Sequence, residues 1–192
     1  MSRLSLSIAL KEWSAVISAL RDGRQMVLLR KGGIHETAGE FEIEHRRFVF
    51  FPTYLHQNSE MVKPAEQQRL DALSAQPAFV TIDTAAEITD IIQLRDRAQM
   101  DALDDQHIWA PPLIDMRFNY RPANPLYLLI VRAYRLASPR TLENTPAYAG
   151  CKSWVPLEET IAFDGATAAL DDAAFGQKRQ PIIERLKHRT GH

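Results

Sequence analysis

Between Asp22-Gly23 and Gly32-Gly33 lies a short apolar run, Met26 to Leu29, with glycine on either side. So short a run between glycines cannot make a stable helix, so it is read as a strand buried on both faces. That strand anchors the densest polar stretch of the chain, Gly23 to Gln57. The stretch carries a Gly-Gly corner, three alternating glutamates and three of the six histidines.

Upstream, Leu10, Trp13, Ile17 and Leu20 recur at helical spacing and predict a helix over 9–21, closed by Asp22-Gly23. Downstream, Glu40 to Glu44 alternates, with Phe41 and Ile43 opposite the glutamates, and Phe48 to Phe51 forms a second apolar run ending at Pro52. Together these predict a β-meander. Pro64 is placed to open a helix reaching Ser74. Phe79 to Leu94 reads as two strands, and Arg95 to Gln106 as an acidic helix. The proline-rich passage over 109–125 is expected to be an irregular loop. Leu126 to Leu136 is the strongest strand, ended by Ser138-Pro139. Lys152 to Val155 reads as a short strand, Leu157 to Ile161 as a turn or short helix, and Asp171 to Phe175 as helical. Pro181 is expected to open a last helix. The class implied is α+β, a mixed β-sheet with flanking helices, organised as one domain over 1–160 and a helical C-terminal extension over 161–192.

Composition restricts function. Hydrophobic residues at 45% and charged residues at 24% are those of a globular chain, and a net charge of -1 provides no global basic field. Any nucleic-acid contact therefore needs a local patch. Residues 60–105 hold ten acids against four bases, an acidic flank, while Lys178, Arg179, Arg185, Lys187, His188 and Arg189 make a basic tail. One cysteine, Cys151, excludes an internal disulfide and a multi-thiolate zinc site, in keeping with a reducing cytoplasm. No apolar run reaches the length of a membrane span, so no membrane partner is expected.

Glu40, Glu42 and Glu44 stand on one strand face about 6.5–7 Å apart, too far to hold a divalent ion without another strand. Cross-strand pairing with Arg30, Arg46 or Arg47 is the alternative use. A metal-dependent nuclease of the PD-(D/E)xK kind would place lysine where Glu44-His45-Arg46 has arginine, a poor proton acceptor. His35, His45 and His56 follow no zinc-ligand spacing, and no metal site is expected. Arg30-Lys31-Gly32-Gly33 pairs two cations with pliable backbone at a strand end, an arrangement suited to phosphate. Arg117, Phe118, Tyr120 and Arg121 interleave cations with rings, as base-stacking surfaces do. Cys151 and Ser153 have no signature of a nucleophile around them.

The blocks ALKEW (Ala9 to Trp13), LLRKGGI (Leu28 to Ile34), FPTYLHQ (Phe51 to Gln57), PLYLLIVRAYRL (Pro125 to Leu136) and GCKSWVPL (Gly150 to Leu157) resemble an uncharacterised bacterial family, a domain of unknown function. More distantly, the Gly23-Arg24 corner, Arg30-Lys31, Ala86 to Leu94 and Tyr127 to Pro139 resemble PUA-like β-barrels of the ASCH and EVE types. Those proteins often carry lysine where Arg24 stands, and the FPTYLHQ block has no counterpart among them. This second resemblance implies a PUA-like β-barrel and a cleft for nucleic acid or a modified nucleotide.

The function expected is thus nucleic-acid or modified-nucleotide binding, with RNA favoured and no cofactor. The residues expected at the ligand are Arg30, Lys31, Gly32, Gly33, His56, Gln57, Arg117, Tyr120 and Trp154. The alternatives are a nuclease using Mg or Mn at Glu40, Glu42, Glu44 and His45, or a protein-interaction module working through the acidic flank or basic tail. Oligomeric state is left open.

Overall fold

The computed structural model describes residues 4–32, 34–37, 40–55, 57–70, 76–150 and 152–187, with the backbone alone at 34–37 and 40–42. In chain order the elements are Ser5–Trp13 (β1), Ser14–Arg21 (α1), Val27–Arg30 (β2), Ile34–Thr37 (β3), Glu40–Ile43 (β4), Arg47–Thr53 (β5) and Pro64–Gln67 (α2). Phe79–Leu94 (β6), Arg97–Asp101 (α3), Pro111–Asn119 (α4), Leu126–Glu143 (β7), Trp154–Ala162 (β8), Thr167–Ala168 (β9) and Asp172–Lys187 (α5) complete the chain. Seven strands form one mixed sheet in the order β2-β7-β6-β5-β1-β8, with β9 paired to β7. The β1–β5 pair is parallel and the other ladders are antiparallel. The class is α+β. No helix among the described residues is long and apolar enough to cross a membrane.

Two apolar cores lie on the two faces of this sheet. The larger gathers Leu10, Leu28, Phe48, Phe50 and Leu128 with α1, α4 and α5, and the smaller gathers Ala9, Val49, Phe51, Ile82 and Ile161. Strand β1 serves both, which explains why residues 9–13 are not part of the helix that their spacing predicts. It is sandwiched between β5 and β8, and a register shift between Leu6 and Ile8 turns Leu6 onto the same face as Ala9. The helix is confined to Ser14–Arg21, where Val16, Ile17 and Leu20 are buried. Gly23 ends it at φ 68°, with Arg24 N–H bonded to the Ala19 carbonyl and Gly23 N–H to that of Leu20. That is a Schellman closure, and it aims the chain into β2.

The expected meander is replaced by a separate hairpin. β4 pairs with β3, while β5 pairs with β1 and β6. Two expected strands fuse into β6, which bends at register shifts between Ile82 and Thr84 and between Ile88 and Asp90. The first shift sets Asp83 against residues 136–139, so Pro139 falls where no ladder donor is needed and β7 continues to Glu143. The acidic helix shrinks to Arg97–Asp101 followed by a 3-10 turn, and the helix opened by Pro64 reaches only Gln67. Within the proline-rich passage, α4 forms because Pro111 and Pro112 occupy its first turn, where a missing N–H loses nothing. Leu157 to Ile161 belongs to strand β8. Helix α5 is continuous through Pro181, is capped by Asp171, and buries Phe175, Ile182 and Leu186 in the larger core.

His107 is 5% exposed beside Trp109. Burial, aided by the charge of Lys63, pulls its pKa from 6.5 down to about 4. Between those values the unfolded chain holds a proton that the folded imidazole refuses. Stability is therefore whole above about pH 6.5 and falls as pH drops toward about 4. Urea unfolding should show a loss of about 2 kcal/mol from neutrality to about pH 5, largely absent in His107→Leu. Equal pH slopes for the two proteins would contradict this.

Candidate functional site

The two ends of the strand path, β2 and β8, approach one another without forming a ladder among the described residues. At this seam lies a cleft of about 260 Å³. Its walls are Arg30, Lys31 and Gly32 at the end of β2, Arg117 and Tyr120 at the end of α4, and Ser153 and Trp154 at the start of β8.

Local structure brings each residue there. Gly32 takes φ 132°, a conformation that side chains disfavour, and this turns the chain away directly after Lys31. The Lys31 ammonium donates to the carbonyls of Phe118 at 2.9 Å and Arg121 at 3.3 Å, tying β2 to the C-terminal end of α4. A cation there also complements the helix dipole. Arg121, at φ 46°, is the one non-glycine residue with positive φ among those described. The turn it makes leaves Tyr120 55% exposed, with the Arg121 guanidinium 5.3 Å from its ring centre. Trp154 is held edge-on by Phe48 at 5.0 Å and His45 at 5.3 Å and is partly exposed.

Charge is concentrated behind these walls. Arg30 Nη2 donates to Glu12 Oε2 at 2.7 Å and to the Lys11 carbonyl at 3.3 Å, and the two charged side chains are only 10% and 6% exposed. Glu12 Oε1 also accepts from the Trp13 N–H at 2.9 Å. The pKa of Arg117 is lowered chiefly by burial and further by the charge of Arg30, while Glu12 acts in the opposite sense. Its guanidinium is nevertheless charged at neutral pH. The Nε atoms of Arg30 and Arg117 are both buried without a hydrogen-bond partner among the described residues. The seam thus holds two guanidiniums, Arg30 paired with Glu12 and Arg117 with no ion pair among the described residues, leaving local positive charge and unmet donors.

Of the residues expected at a ligand, Arg30, Lys31, Gly32, Arg117, Tyr120 and Trp154 meet in this cleft. Gly33 and His56 lie outside the described residues. Gln57 has another place: its side chain accepts from the Ala15 N–H at 3.2 Å and donates to Ser14 Oγ at 3.1 Å, capping α1. Glu44 is exposed, 3.3 Å from His45 Nε2, and Arg47 pairs with Glu87 of β6 rather than with the glutamates. The side chains of Glu40 and Glu42, like those of His35 and Cys151, are outside the description. Among the described residues no three His, Cys, Asp or Glu side chains gather as a metal ion would need. The basic tail and acidic flank engage each other, through Arg179 with Asp90 and Arg185 with Asp105. Hydrogen bonding to Arg185 lowers the Asp105 pKa. Arg24 is engaged away from the cleft, by Glu66 and Asp22.

Glu12 is the residue that sequence reasoning missed. Read on a helix, it falls on the solvated face; read on β1, it points with Leu10 toward the larger core, where an acid needs a cation. Removing one member of a buried pair typically costs about 3–5 kcal/mol. Glu12→Gln should lower stability in urea by about 3 kcal/mol, and added phosphate should restore part of the loss by supplying the missing negative charge. A loss under about 0.5 kcal/mol, the range of ordinary surface substitutions, would contradict the pairing.

Comparison with solved structures finds the ASCH protein of Zymomonas mobilis, 11% identical with a TM-score of 0.43, covering 92% of this chain and 93% of that one. A mutant form of the same protein aligns at 12% identity and a TM-score of 0.46, over 79% of this chain and 90% of that one. No curated protein matches the sequence. A family-wide sequence model described as a domain of unknown function, DUF1802, matches residues 9–181. The chain belongs to the DUF1802 family.

Proposed function

We propose that the seam cleft binds a nucleic acid or modified nucleotide, RNA foremost, by its phosphate. The observation that carries this reading is a pair of guanidiniums at one cleft, Arg30 and Arg117, of which Arg30 alone is paired with Glu12 and both have Nε–H groups that lack partners among the described residues. Buried donors without acceptors are costly, and an anionic oxygen arriving at the cleft supplies the acceptor and the missing charge together. A volume of about 260 Å³ suits one splayed nucleotide rather than a duplex. Tyr120 and Trp154 offer ring faces and edges to a base, the mode by which single-stranded RNA is recognised. Binding needs no metal and no nucleophile. Lys31 holds the wall in place and adds positive potential rather than acting as the principal grip.

The test is fluorescence polarisation of a short single-stranded RNA at low salt. Arg117→Met keeps the aliphatic packing and should weaken binding about tenfold or more, with Arg117→Lys between it and the parent. Affinity should also fall as salt rises. Unchanged affinity in Arg117→Met, or no retention of RNA at low salt, would remove the proposal.

A further inference from the structure

Strand β1 sends Glu12 toward the seam and the adjacent Lys11 to its opposite face, where a cavity of about 680 Å³ opens. Its floor is the end of the parallel β1–β5 ladder, in which Lys11 pairs with Phe51 and Trp13 with Thr53. Phe51 and Tyr148 belong to the smaller core, and beyond them that core stops. The next position on the same face of β5 is Thr53, and Leu55 past it is 43% exposed. Trp13 also packs on the larger core and leaves part of its surface to the cavity. Apolar surface is thus gathered here with nothing from the chain laid over it.

The walls are braced by hydrogen bonds. The Lys11 ammonium donates to the carbonyls of Tyr148 and Gly150, the second at 3.1 Å, and the Lys11 backbone N–H donates to the Ser153 carbonyl at 2.8 Å. Gln76 accepts from the Tyr54 N–H at 3.0 Å and donates to the Pro52 carbonyl at 2.9 Å, and Asn144 Nδ2 donates to the Pro77 carbonyl at 3.1 Å. The Tyr148 ring lies 5.1 Å from that of Phe51, and its hydroxyl accepts from the Glu158 N–H at 3.1 Å. A space held open in this way is pre-formed, and its volume falls in the range of about 300–1,000 Å³ usual for small-molecule sites.

Among the described residues that line it, Lys11 and Lys152 are cations and none is an acid. Glu158 meets the wall residue Thr145 at 3.5 Å without lining the cavity. Lys11 is committed to its two carbonyls and supplies potential, whereas Lys152 is exposed at the rim, where it can reach a ligand. The cavity therefore matches a single negative charge carried on an apolar body. We infer that it is a second ligand site, for a small aromatic carboxylate, separate from the seam cleft and standing apart from the reading of that cleft. Phe51, Tyr148, Trp13 and Leu55 take the rings, and Lys152 pairs with the carboxylate at the mouth.

The experiment titrates the full chain with 2-naphthoate and with its neutral counterpart 2-naphthamide, following the indole Nε–H signals of the tryptophans by NMR. Naphthoate should shift the Trp13 signal saturably and leave in place those of Trp109, buried in the larger core, and Trp154, at the seam. It should bind about threefold to fivefold tighter than the amide, the scale of one exposed ion pair, and Lys152→Ala should erase that preference. Leu55→Ala should weaken both probes alike, by about fivefold, through lost apolar contact. Both substitutions fall at exposed positions, where the fold tolerates them. A Trp13 signal that does not move at millimolar naphthoate would overturn the site. So would a shift of Trp154 in place of Trp13, which would put the ligand at the seam. Equal affinity for the two probes, or a preference for naphthoate that survives Lys152→Ala, would overturn the carboxylate assignment.

Discussion

The ion pair between Arg30 and Glu12 is where the curl of the sheet is fixed. Arg30 ends β2, at one extreme of the strand order, and Glu12 lies on β1 beside β8, at the other. A flat sheet would keep these residues far apart. The long β6–β7 ribbon, twisted further by its two register shifts, rolls the extremes together, and the pair holds them with both charges nearly out of water. Closure by hydrogen-bonded strands would seal the seam. Closure by side chains leaves a cleft, and Arg117, arriving from α4, makes its charge balance positive.

The same economy of charge separates structural cations from those available to a ligand. Arg179, Arg185 and Lys178 bind Asp90, Asp105 and the Gly23 carbonyl, so the basic tail is largely fixed against the acidic flank and the end of α1. Arg21 and Arg24 are paired with Asp83 and Glu66. At the seam the proportion reverses, with two buried guanidiniums to one acid. A chain that is nearly neutral overall can in this way present a locally cationic surface.

Much of the cleft was legible in the sequence because the residue types that bind phosphate and bases are few, and they cluster at strand and helix ends. Arg30-Lys31-Gly32 followed an apolar run closed by glycine, and Arg117 to Arg121 alternated cations with rings. Glu12 was illegible because Leu10, Trp13, Ile17 and Leu20 fit a helical period even though the first two lie in a strand. A strand buried on both faces shows no alternation to contradict the helix. Gln57 was misplaced for a related reason: it sits near the site in sequence, but caps the helix that follows β1. Helix α4 was hidden by prolines, which punctuate a sequence equally well at the start of a helix and inside a loop. The register shifts that let β6 and β7 run so far depend on pairing between segments distant in sequence, and no local pattern encodes them.

On the proposed reading, Arg30 and Arg117 hold unmet donors that an arriving anion satisfies. The Nε–H resonances of the arginines, followed by ¹H–¹⁵N NMR during titration with a short single-stranded RNA, examine those atoms directly. The Arg117 Nε–H signal should shift downfield and become protected from exchange as RNA is added, with Arg30 responding alongside it and Arg24 and Arg185 unmoved. Saturation of the protein with RNA while the Arg30 and Arg117 signals stay where they began would contradict it.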